Sequence, residues 1–190
     1  MKAILMSIRP EWVAKILNGE KTLEVRKSYP KSKLPIEVYI YCTKGGALLF
    51  KEYSTNSYWA EEENKNYRPH YALNGKVVGY FTLNKVSRTY EFYEQELLDK
   101  ACLSDNELFA YLKHDEGYAW HIDNLVVFDK PKELSEFYGA FTHKRYEHIF
   151  GNNAVELDKK YGGLRQPIKG GYEYKYPLTR APQSWCYVEV

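Results

Sequence analysis

Lys21, Glu24 and Arg26 are the residues of this 190-residue chain whose types and spacing best suit chemistry. They stand in the stretch SIRPEWVAKILNGEKTLEVRK, residues 7–27, where an apolar helix pattern hands over to an apolar strand pattern. On a strand, residues two apart share a face, so the Glu24 and Arg26 side chains project together about 7 Å apart. Inside a cleft, Arg26 would clamp a phosphate or carboxylate. Glu24 would accept hydrogen bonds from the edge of a base, and a desolvated Lys21 would act as base or nucleophile. On an open surface the same residues have a plainer use. Lys21 then complements the dipole of the helix before it, and Glu24 and Arg26 pair with cross-strand neighbours. Spacing leaves both alternatives open.

Two other stretches carry chemistry-capable side chains. FTHKRYEHIF interleaves His143, Lys144, Arg145, Tyr146 and His148, a mixture that suits single-stranded nucleic acid or a solvated helix face. His143 and His148 are five apart and fall on different helix faces, so no metal site is expected. In YAWHI, alternation puts Trp120 and His121 on opposite faces of a strand, one in the core and one in a cleft or solvent. The chain contains no G-x-G-x-x-G, no G-x-x-x-x-G-K-[ST], no G-x-S-x-G and no H-E-x-x-H. No cofactor is expected.

The elements that must position these residues follow from periodicity. Pro10 to Asn18 predicts a helix with Trp12, Val13, Ile16 and Leu17 on one face, started by Pro10 and stopped by Gly19. Thr22 to Lys27 alternates as a strand. PIEVYIYC predicts a strand with Ile36, Val38, Ile40 and Cys42 on the apolar face, and with Glu37, Tyr39 and Tyr41 on the polar one. Residues 43–74 read as an irregular excursion, partly helical. Lys76 onward predicts a buried strand with Gly79 at a bulge. Ser104 and Glu107 form a capping box ahead of a helix over 105–113. AWHIDNLVVFDKP predicts one strand ended by Pro131, KELSEFY a short helix, 142–180 a long loop with one helix near Arg145, and SWCYVEV a closing strand.

Composition is that of a globular protein, with 44% apolar and 27% charged residues. No run reaches the ~18 apolar residues of a membrane span. Cys42, Cys102 and Cys186 are odd in number and form no C-x-x-C pair, which predicts a reducing, cytoplasmic setting. Residues 1–33 hold eight Lys/Arg against three acids, residues 34–141 eleven against seventeen, and residues 142–190 eight against five. Two basic ends flank an acidic middle. If the ends meet, they suit a phosphate-bearing partner. Nineteen tyrosines offer flat rings for packing or for stacking on bases. Short strands outnumber helices without regular β-α-β alternation, which predicts an α+β fold or a small barrel-like sheet.

At ILNGEKTLEVRK the sequence resembles the ASCH domain family, a branch of the PUA-like superfold, whose motif G-x-K-x-x-E-x-R stands here as Gly19, Lys21, Glu24 and Arg26. RPEWVAKIL resembles the family's opening helix, and YAWHI and PQSWCYVEV resemble its later strands. The resemblance is specific over residues 4–42 and looser over 76–130 and 182–190. It implies one domain over residues 1–190: a PUA-like small β-barrel with flanking helices, with insertions around 43–75 and 138–180. The motif residues would line a cleft between barrel and helix.

Family members bind RNA or modified nucleotides, and some are enzymes, an amidohydrolase that deacetylates acetylated cytidine and a ribonuclease. The amidohydrolase works with a lysine, a threonine and a glutamate. Lys21 matches the lysine and Glu107 is a candidate for the glutamate, but Glu24 takes the threonine's place and would pair with Lys21.

The resulting expectation is a binding module for RNA or a nucleotide, with no membrane contact and protein partners unspecified. Lys21, Arg26 and Lys27 would face phosphate, Glu24 a base edge, and Tyr39 and Tyr41 would stack. The alternative is a hydrolase acting on modified nucleosides or RNA, with Lys21 and Glu24 doing acid–base work.

Overall fold

In a computed structural model the chain is described over residues 2–52, 54–62, 72–113, 115–142, 164–168 and 171–190. Strand β1 (Lys2–Ile8) opens it, followed by helix α1 (Pro10–Leu17), β2 (Leu23–Arg26) and β3 (Ile36–Cys42). A hairpin of β4 (Leu48–Glu52) and β5 (Ser57–Glu61) precedes β6 (Val77–Leu83) and β7 (Val86–Arg88). Then come α2 (Glu94–Ala101), α3 (Asp105–Leu112), β8 (Tyr118–His121), β9 (Asp123–Lys132), β10 (Tyr138–Thr142), β11 (Leu164–Ile168), β12 (Gly171–Pro177) and β13 (Trp185–Glu189).

Eight strands form the main sheet in the order β11-β12-β10-β13-β1-β3-β6-β9, and β2-β8-β7 form a second sheet. The fold is α+β. β1 lies parallel to β3 and antiparallel to β13, so the two ends of the chain do meet.

β1 is buried at every position but its first, because the sheet is covered on both faces. On one face Ile4, Met6, Val38 and Ile40 pack on Val13 and Ile16 of α1 and on Trp120. On the other, Ala3, Leu5, Tyr39, Tyr41 and Phe137 form a second cluster. Helices α2 and α3 cover the small sheet through Leu97, Ala101 and Leu112 against Leu23, Val25 and Ala119. α1 starts at Pro10 as expected, and Gly19 takes φ +77° after its end. The Asn18 side chain then holds Tyr58 of the β4–β5 hairpin by both its backbone N–H and C=O.

The structure corrects several expectations. Among the described residues of 43–74 the structure holds the β4–β5 hairpin and no helix. The strand expected over 119–131 is two strands in different sheets, β8 and β9, and β9 runs past Pro131 to Lys132. The helix expected at KELSEFY is one 3₁₀ turn, Leu134–Glu136. Part of the expected 142–180 loop is the β11–β12 hairpin. The helix expected near Arg145 and the cluster from His143 to His148 lie outside the described residues. The ladder beside Gly79 does slip, in its pairing with β3 and with β9. Among the described residues no helix is long and apolar enough to cross a membrane.

A Cβ on Gly79 would stand 2.4 Å from the Val126 carbonyl oxygen, a backbone atom that cannot swing aside. Gly79→Ala is therefore expected to cost ~1–3 kcal/mol by overpacking, read as a lower urea midpoint.

Candidate functional site

Each motif residue is delivered by a local backbone device. After α1 the N–H groups of Glu20 and Lys21 both bond to Lys15 O, which turns the chain sharply. Thr22 N–H then reaches Lys100 O at the end of α2, and Thr22 O receives Ile122 N–H. This fixes Lys21 beside α2 and aligns β2 with β8, with Glu24 opposite Trp120 and Arg26 opposite Tyr118.

The three charged side chains converge. Lys21, Glu24 and Arg26 are only 2%, 6% and 9% exposed. Lys21 Nζ lies 3.3 Å from Glu24 Oε2, and Arg26 Nη2 lies 2.8 Å from Glu24 Oε1. One carboxylate therefore serves two cations. Lys21 also donates to Ala101 O at 2.5 Å, at the C-terminal end of α2, and lies 5.5 Å from the centre of the Trp12 ring. It thus complements the dipole of α2, a helix absent from the sequence reading, and not that of α1. Arg26 donates to Ser7 O at 2.9 Å and to Ser184 Oγ at 3.2 Å. Its Nε is buried and, among the described residues, has no hydrogen-bond partner.

The triad forms the floor of a cleft of about 1090 Å³. The start of α1 supplies one wall through Arg9, Glu11 and Trp12. α3 supplies another through Glu107 and Tyr111, and Gln183 closes a third side. The fourth wall is the Thr43–Ala47 loop with Gly45 and Gly46. Asn74 clamps both ends of that loop. Its amide donates to Thr43 O at 3.1 Å and Ala47 O at 2.9 Å, and accepts from Leu49 N–H at 2.8 Å.

Glu107 reaches the cleft, but its carboxylate accepts from Ser104 N–H at 2.8 Å and from Ser104 Oγ–H at 2.7 Å, closing the capping box at the start of α3. Those bonds, with smaller help from Lys15 and Lys21, hold its pKa below the usual carboxylate range.

Other expected contributors lie elsewhere. Tyr39 and Tyr41 sit in the second core cluster and do not line the cleft, because Phe137 and Leu178 pack on the face that alternation marked as polar. Lys27 turns to the end of α3, with Nζ 3.4 Å from Leu112 O and 3.3 Å from Asp115 Oδ2. Trp120 is fully buried, while His121 lies across the sheet from it, 3.1 Å from Ser87 Oγ, its pKa pushed down by burial first. Arg9, Tyr111 and the glycine loop escaped the sequence reading. The Gly45-Gly46 pair fell in the stretch read as an irregular excursion, with nothing to mark it as a wall of the cleft.

A profile of the ASCH domain matches residues 6–150. The chain belongs to the ASCH domain family. Among solved structures, the ASCH protein of Zymomonas mobilis is similar at 15% identity and TM-score 0.53, over 98% of this chain and 87% of that one. A Tyr-to-Phe variant of the same protein gives 15% identity and TM-score 0.55, over 100% and 91%. At this identity the likeness establishes the shared fold. No curated protein matches the chain. In this ASCH chain the motif glutamate is the counter-charge of both motif cations.

Removing one member of a buried charge cluster strands the others. Glu24→Ala is expected to lose ~3–5 kcal/mol of unfolding free energy in urea. Lys27→Ala, which breaks an exposed pair with Asp115, is expected to lose less than ~1 kcal/mol in the same assay.

Proposed function

We propose that the cleft binds RNA, seating one nucleotide unit on the motif floor. The observation that carries this reading is the convergence of Lys21, Glu24 and Arg26 at the base of a nucleotide-sized hollow whose rim carries Trp12, Tyr111 and Arg9 beside the carboxylates of Glu11 and Glu107. The floor holds two cations against one carboxylate, so it favours a ligand bearing negative charge or hydrogen-bond acceptors. The roles differ from a simple phosphate clamp. Lys21 and the Arg26 fork are occupied by protein acceptors, so the floor supplies charge and shape while direct ligand contacts fall to the rim. Exposed Arg9 is the residue placed to meet phosphate, and it makes no ion pair among the described residues. Tyr111 offers a ring for a base, and Trp12, with Lys15 and Lys21 at its ring, lines the same cleft.

A hydrolase reading is favoured by one observation: Lys21, Glu24 and Glu107 line the same cleft. Because its pKa is lowered, Glu107 enters such a reaction as a carboxylate base and not as an acid.

Low-salt filter binding with short single-stranded RNA tests the binding reading. Arg9→Ala is expected to lower the log–log salt slope by about 0.7, one phosphate contact on a single strand. Tyr111→Ala is expected to weaken binding with the slope unchanged, because stacking releases no counterions. Wild-type protein that binds no RNA would refute the proposal. For the hydrolase, release of acetate from acetylated cytidine and cleavage of labelled RNA are the readouts. Turnover by wild type that is absent in a folded Lys21→Ala protein would move the conclusion to catalysis.

A further inference from the structure

We infer that a second surface, built on Tyr29, Arg88 and Tyr90, stacks the bases of a single RNA strand as it leaves the cleft. This rests on the reading that RNA occupies the cleft. Arg26 of β2 pairs with Tyr118 of β8, and Tyr118 pairs with Arg88 of β7. Direct partners on antiparallel strands project to the same side. Arg26, Tyr118 and Arg88 therefore form one rung across one sheet face. Arg26 stands in the cleft floor, and Arg88 lies two strand spacings away, roughly 10 Å. One rung of the small sheet thus runs from the cleft floor to the outer strand β7 through Tyr118, which packs on the core.

That outer surface is aromatic. Tyr29 lies against Tyr118, ring centres 4.6 Å apart. Arg88 lies over the Tyr90 ring, 5.7 Å from its centre. Tyr29 and Tyr90 are 42% and 67% exposed, more than packing requires. Beside Tyr29 a hollow of about 400 Å³ opens, with Lys31, Ser32 and Val86 in its lining. Val86 is on the same strand as Arg88 and two residues away, so it faces the same side.

The charge pattern decides which part of the strand binds here. Arg88 Nη1 already pairs with Glu116 Oε2 at 2.6 Å, and both side chains are well exposed. Glu91 stands close by, accepting from Arg88 N–H. Two acids beside one arginine make a poor phosphate site. They leave the flat face of the guanidinium and the tyrosine rings, which take bases without regard to sequence. The surface should therefore add affinity without adding salt dependence, unlike the cleft rim at Arg9.

Fluorescence anisotropy with 5′-labelled oligouridylate of three and of ten nucleotides reads this directly, across a salt series. Wild type is expected to bind the ten-mer more tightly than the three-mer. The Tyr29→Ala/Tyr90→Ala double variant is expected to lose about tenfold or more in ten-mer affinity, with three-mer affinity and salt slope unchanged. Both rings are exposed, and Tyr118, which packs on the core, is left in place. Circular dichroism and the three-mer result report that the fold and the cleft are intact. Equal ten-mer affinity in wild type and double variant overturns the second surface alone. A parallel loss for both lengths also overturns it, because the tyrosines would then serve the cleft or the fold. A wild type that binds neither length overturns this surface and the cleft reading together. An unchanged ten-mer affinity alongside co-purification of a protein lost in the double variant assigns the surface to a protein partner instead.

Discussion

One carboxylate, Glu24, balances two buried cations, and the rest of the site depends on that balance. Moving an ion from water into a protein interior costs several kcal/mol even after relaxation. Lys21 and Arg26 remain at 2% and 9% exposure because Glu24 touches both and each also donates to one backbone carbonyl. Those carbonyls come from separated parts of the chain: Ala101 at the end of α2 and Ser7 near the end of β1. The triad therefore ties the small sheet to the main sheet and to α2 at one point. Its worth lies in register, since a well-packed apolar cluster could match it in stability. It specifies where β2 sits relative to β1, and so where the cleft opens.

The division between floor and rim follows from the same accounting. Donors already spent on protein acceptors set shape and field but do not grip a ligand. The rim residues contribute exposed edges and faces: Arg9, Trp12, Tyr111 and the glycine loop that Asn74 holds open. A floor that is rigid and polar beneath a rim that is accessible suits recognition through many modest contacts. The join of β1 to β13 places Gln183 and Ser184 at this site from the far end of the sequence.

The first helix and the strand after it were legible because local signals agreed, whereas spacing left open whether the Lys21, Glu24 and Arg26 side chains converge. Pro10, the spacing of Val13, Ile16 and Leu17, and Gly19 all point to one short helix, and the structure places it at Pro10–Leu17. The capping box at Ser104 was legible for the same reason. β1 was not, because KAILMSI is a continuous apolar run whose alternation vanishes when both faces are covered. That same double covering misassigned Tyr39 and Tyr41, where alternating polarity suggested a wet face that Phe137 and Leu178 in fact close. Helix α2 went unread because only Leu97 and Ala101 of EQELLDKA are buried and its N-cap, Tyr93, offers no side-chain bond. The break between β8 and β9 depends on pairing partners distant in sequence, which no window of residues contains.

The Lys21 environment also bears on whether the cleft turns over its ligand. An ammonium has three protons to place. Here one goes to Ala101 O, one faces Glu24, and the Trp12 ring face lies on a further side. A lysine that shuttles a proton needs one of those directions open to the reacting atom. Where the resembled amidohydrolase has a threonine hydroxyl, Glu24 brings a full negative charge that also serves Arg26. A hydroxyl can exchange partners at little cost, whereas a carboxylate between two buried cations cannot leave either one unpaired. On the binding reading proposed above, a carboxylate locked between two buried cations suits a floor that keeps its shape beneath a ligand.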